Sequence, residues 1–113
     1  MSSAASPNPQ QPLLKALLEP LLTDFQDWFA RARSLLEATD LTILSADQQR
    51  HLLARVIEAQ QQVAVAQLLF QATGEQVGVE MAQMAAWHRL VTECWQVSHQ
   101  WRLARGDLSL EGE

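Results

Sequence analysis

Residues 59–74 read AQQQVAVAQLLFQATG, a run without a single charge, in a chain of 113 residues that carries 8 Lys and Arg and 13 Asp and Glu. The run contains no proline and ends on glycine, and most of its residues favour helix. Extended back to Leu52, its apolar positions recur at helical spacing: Leu52, Val56, Ala59, Val63, Ala66 and Phe70 share one face of a helix. A second apolar group, Leu53, Ile57, Ala64 and Leu68, lies a quarter to nearly half a turn away. Val65 and Leu69 point almost to the back, and the remaining places are mostly Gln. A helix apolar this far round its circumference has more than one side covered.

Just upstream, Ser45 followed by Gln48 matches a capping box, in which hydroxyl and amide satisfy orphan N–H groups at a helix start. The spacing therefore predicts a helix from about Ala46 to about Thr73, with Gly74 free to take the left-handed residue after its end.

Before it, Leu14, Leu18, Leu21, Phe25, Trp28, Ala32 and Leu35 alternate at spacings of three and four, flanked by Phe29 and Leu36. This predicts a long helix over 12–38, kinked or restarted at Pro20, with Asp27 and Arg31 as a favourable i, i+4 pair. The connection TDLTILS should tuck Leu41, Ile43 and Leu44 beneath the bundle. A third helix is expected over 80–105, closed by Gly106. Three long helices with short connections predict an all-α, up-down-up antiparallel bundle over 12–105. The small, polar residues 1–11 read as a disordered arm, and 106–113 as a flexible acidic tail. No internal repeat is evident.

The formal charge of −5 and the scattered Arg residues argue against a nucleic-acid surface, which wants clustered cations. One cysteine, Cys94, excludes an internal disulfide framework and fits a reducing compartment. The N-terminal segment lacks the charged and hydrophobic regions of a secretory signal. No apolar window reaches the roughly 18–20 residues of a membrane span. The expected location is cytoplasmic, with peripheral attachment to a membrane complex left open.

From Ala59 to Trp87 the only charges are Glu75 and Glu80. The second helix and the start of the third thus share a charge-poor surface, on which Ile57, Gln61, Val65, Leu68, Leu69 and Met81 are the expected interface residues. Interface cores are depleted in charge, and Gln is easier to desolvate than Lys or Glu. The competing internal reading is that this helix is simply central, touching both neighbours.

Chemistry is sparsely represented. Trp87, Cys94 and Trp101 stack along one face of the third helix, and core packing is the ordinary reading of such a row. His88 and His99 lie too far apart along that helix to ligate one metal. No Glu-x-x-His sequence supports a di-iron site, and a haem held by one axial His has nothing else in its favour. Cys94 faces the expected core and should behave as a small hydrophobe. No catalytic residue, metal site or cofactor is expected, and the chain reads as non-enzymatic.

The segments LLKALLEPLLTDFQDWFARARSLLE, LLARVIEAQQQVAVAQLLFQAT and WHRLVTECWQV, in that order and spacing, resemble a small cyanobacterial helical family catalogued as a domain of unknown function. The resemblance spans about 12–103. It implies a cyanobacterial setting, with the cytosol and the thylakoid surface as the available places, and brings no activity or site residues. The sequence reading is therefore a helical interaction module whose partner is a second copy or a larger complex. The alternative is a carrier of a tetrapyrrole or other apolar molecule among Trp87, His88, Trp95, His99 and Trp101.

Overall fold

The computed structural model describes residues 10–73 and 80–106. Helix α1 spans Gln10–Ala38, α2 Ala46–Thr73 and α3 Met81–Ala104. The expected helices are all present, and among the described residues there is no strand. α1 starts two residues before the expected 12, so Gln10 and Gln11 belong to the helix and not to the arm. Pro12 then occupies the first turn, where a missing N–H costs no intrahelical bond. α1 is one continuous helix past Pro20, and beside it the Thr23 hydroxyl donates to the Glu19 carbonyl at 3.2 Å. The rest of the expected arm, Gly74 and the turn around it, and the tail beyond Gly106 lie outside the described residues.

The helix ends follow local chemistry. Gln48 N–H donates to Ser45 Oγ at 3.0 Å and Ser45 N–H donates to Gln48 Oε1 at 2.8 Å, so the capping box is formed reciprocally. α3 closes at Gly106, whose φ of 86° is open to glycine without steric penalty. Its N–H donates to the Leu103 carbonyl at 3.0 Å.

The α1–α2 connection is held by a residue whose role the sequence does not announce. Gln49 Nε2 donates to the carbonyls of Leu36 at 2.9 Å and Thr39 at 2.7 Å, and its Oε1 accepts from Leu41 N–H at 3.0 Å. One side chain thus serves three backbone groups that a tight turn would otherwise leave unsatisfied. Leu41 is buried beneath it, with Ile43 and Leu44 half-buried.

Pairings between elements give the topology. Gln49 lies against Leu36 and Thr39, and Gln26 Nε2 donates to the Gln60 carbonyl, so α2 runs antiparallel to α1. Trp87 Nε1 donates to Gln62 Oε1 at 2.9 Å and Arg55 pairs with Glu93 at 2.9 Å, so α3 runs antiparallel to α2. Phe25 meets Trp87 and Trp28 meets Trp95, which makes α1 and α3 parallel. This is the up-down-up bundle.

The core is apolar throughout: among the described residues no polar or charged residue is buried. Leu22, Phe25 and Phe29 of α1, Val56 and Val63 of α2, and Trp87 and Val91 of α3 are almost wholly enclosed. Burying each large side chain contributes roughly 1.5–3 kcal/mol. All six expected inner-face residues of α2, from Leu52 to Phe70, are buried. The Asp27–Arg31 pair is not formed: Arg33–Glu37, Arg50–Asp47 and Arg55–Glu93 are ion pairs, whereas Arg31 turns to a cleft described below. Among the described residues no helix is long and apolar enough to cross a membrane.

Candidate functional site

The glutamines of α2 divide into two groups, and the division explains part of the uncharged run. Gln60 Oε1 accepts from Arg33 at 3.1 Å, Gln67 Oε1 faces Gln26 at 3.5 Å, and Gln62 accepts the Trp87 indole N–H. These three are bridges from α2 to its neighbours. An amide can donate or accept in a half-buried seam without the desolvation cost of a carboxylate or ammonium. The central-helix reading therefore accounts for the flanks of α2.

It does not account for the outward side. Val65 is 55% exposed, Leu68 66% and Leu69 40%, while Met81 at the start of α3 is 81% exposed. Gln61 is exposed beside them and Ile57 is half-buried. Val65 and Gln61 also edge a shallow groove between α2 and α3, shared with Glu58, Gln62 and Gln83. Gln61, Val65 and Leu68 thus form an outward strip on α2, with Leu69 beside it and half-buried Ile57 at its edge. Apolar exposure concentrated in this way is what marks contact surfaces, whereas single exposed apolar residues are ordinary.

A second feature lies between α1 and the C-terminal half of α3. It is a cleft of about 450 Å³ bordered by Trp28, Leu35, Leu36, Leu52, Val91, Cys94 and Trp95, with Arg31, Ser98 and Arg102. Trp28 and Trp95 meet edge to face, ring centres 5.4 Å apart, a preferred geometry for aromatic pairs. Trp95 is 51% exposed, so the pair is a wall of the cleft and not sealed core. Arg102 Nη2 donates to Ser98 Oγ at 3.2 Å.

The five residues of the carrier alternative take different places. Trp95 borders the cleft, Trp87 is enclosed and bonded to Gln62, and His88 and His99 are exposed. Trp101 packs against the core with its Nε1 buried and lacking an acceptor, under the Arg105 guanidinium at 5.9 Å from the ring centre. Cys94 is buried in the core. Burial pushes its thiol from the ordinary 9.0 up to about 11, with a further push from Glu93 and an opposing pull from Arg55. Such a thiol is protonated at neutral pH and therefore a poor nucleophile. Among the described residues no three His, Cys, Asp or Glu side chains are grouped to hold a metal ion.

Sequence reasoning missed the cleft. Its signal lies in two short rows, Trp28, Arg31, Ala32 and Leu35 on α1 and Trp95, Ser98 and Arg102 on α3. Each runs at helical spacing and mixes aromatic with cationic residues. Neither row means anything until the topology sets α1 parallel to α3.

Fold and surface together define a small all-helical domain with an apolar strip on α2 and an amphipathic cleft between α1 and α3. A family model described as Protein of unknown function (DUF2605) matches residues 8–103, and the chain belongs to that family. No curated protein and no solved structure matches it.

Proposed function

We propose that this domain is a non-enzymatic protein-interaction module that docks a protein partner on the outward face of α2 and the start of α3. Ile57, Gln61, Val65, Leu68, Leu69 and Met81 form the contact. The partner is a second copy of the chain or a larger complex. The observation that carries this reading is the exposure of Val65 and Leu68, at 55% and 66%, on a helix whose glutamine flanks are already used internally. In this reading the module works in the cytoplasm, with the thylakoid surface as a peripheral setting, and uses no cofactor.

Light scattering across a dilution series tests it. Self-association gives a mass of two chains that falls on dilution. Val65→Asp and Leu68→Asp should shift the curve towards one chain while leaving the helical circular dichroism unchanged. A variant that unfolds would place these residues in the core and overturn the reading. A wild-type mass that stays at one chain excludes self-association, and a larger complex is then the partner to be sought.

A further inference from the structure

We propose that the α1–α3 cleft is a binding site for a small amphipathic carboxylate, an apolar body carrying one carboxylate. The proposal is independent of the α2 surface and rests on three observations.

The first is size and lining. A volume of about 450 Å³ falls inside the roughly 300–1,000 Å³ of small-molecule sites, which are mostly apolar with a few placed polar groups. Here Leu35, Leu36, Val91 and the Trp28–Trp95 pair form the apolar part.

The second is the state of the arginines. Arg33, Arg50 and Arg55 each pair with a carboxylate of this chain. Arg31 and Arg102, which border the cleft from opposite helices, make no ion pair among the described residues, a state they share with exposed Arg89 outside the cleft. Arg31 forgoes Asp27 one helical turn away. Two guanidinium groups beside one apolar cleft, in a chain of net charge −5, supply the charge that a carboxylate needs and that its apolar body does not. Arginine suits the role because its planar donors match the two oxygens of a carboxylate.

The third is position. Arg31 and Arg102 are exposed while the apolar residues Leu36, Leu52 and Val91 are buried. The cleft therefore grades from charged mouth to apolar floor, as an amphipathic ligand does from head to body.

The test is titration of the full chain with dodecanoate below its micelle concentration, followed by tryptophan emission. Two of the four Trp residues, Trp28 and Trp95, border the cleft, so occupancy should change the emission saturably. Dodecanol, of the same chain length without the charge, should bind at least about tenfold more weakly, as expected for loss of a charge-assisted contact. The double variant Arg31→Gln, Arg102→Gln alters exposed residues and should keep its helical circular dichroism while losing about the same factor for dodecanoate. Alkylation of Cys94, which also borders the cleft, should slow when dodecanoate is bound. Equal binding of acid and alcohol would overturn the proposal, as would unchanged affinity in the double variant or no saturable change at all.

Discussion

Val63 and Val65 are the same residue type, two positions apart on one helix, and they have opposite fates. Val63 is fully enclosed between three helices, while Val65 is 55% exposed. Helical propensity treats them alike, and a hydropathy sum cannot separate them. What differs is where each side chain sits relative to two neighbouring helices. A composition signal can announce that a helix is unusual while leaving open which of its sides is the unusual one.

The largest expected effect separates these two sides directly. Val63→Asp puts an unpaired carboxylate in an apolar core and should cost about 4 kcal/mol or more, a large part of the roughly 5–15 kcal/mol a domain has. Val65→Asp should stay within about 0.5 kcal/mol of wild type, as surface changes do. Urea unfolding of both variants, followed by circular dichroism, measures the contrast. Equal costs would erase the distinction between the faces.

Cys94 sharpens the inner side from the direction of α3. Its pKa rises from 9.0 to about 11 on folding, so folded and unfolded thiols are both protonated below pH 9 and the stabilising preference is fully present there. As pH rises from 9 to 11 the unfolded thiol ionises first, and stability should fall by about 2–3 kcal/mol. The chain has no Tyr, so no phenol titrates in this range, and the Cys94→Ala comparison removes what Lys15 contributes to both profiles. Chemical denaturation from pH 8 to 11 should show the decline in wild type and a much flatter profile in Cys94→Ala.

Two polar devices at the start of α2 repeat the comparison on a smaller scale. Gln49 works on the inner side, holding three backbone groups of the connection. Gln49→Ala leaves those groups without a partner and should cost about 2 kcal/mol. Ser45 works in the open, and Ser45→Ala removes one cap bond for about 1 kcal/mol. Thermal unfolding of the pair ranks them, and the reverse order would mean that water already satisfies the connection in the absence of Gln49.

How far the fold was legible follows from the same geometry. Helix positions, the capping box and the six-residue inner face of α2 rest on local chemistry and one period, and those are written along the chain. The outward strip was legible because Val65 and Leu69 break that period. The internal use of Gln60, Gln62 and Gln67 was not, because each bridge needs a partner on another helix: Arg33, Trp87 and Gln26 in turn. The cleft was hidden for the same reason. Trp28 reads as a stripe residue in α1 alone, and it becomes a wall only when Trp95 stands opposite. Asp27 and Arg31 sit at an i, i+4 spacing that favours pairing, yet a weak exposed pair is easily forgone.

Pro20 divides α1 by burial as well as by sequence. It supplies no N–H to the helical ladder, and from Ala16 to Leu21 no described side chain is buried, whereas Leu22, Phe25 and Phe29 beyond it are enclosed. The stretch from Ala16 to Pro20 is therefore held mainly by backbone bonds with little packing behind it, and it can open without disturbing the bundle. Amide hydrogens before Pro20 should exchange with deuterium far sooner than those after Leu22. That outcome would make one uninterrupted helix two cooperative units, with a single imino acid at the boundary.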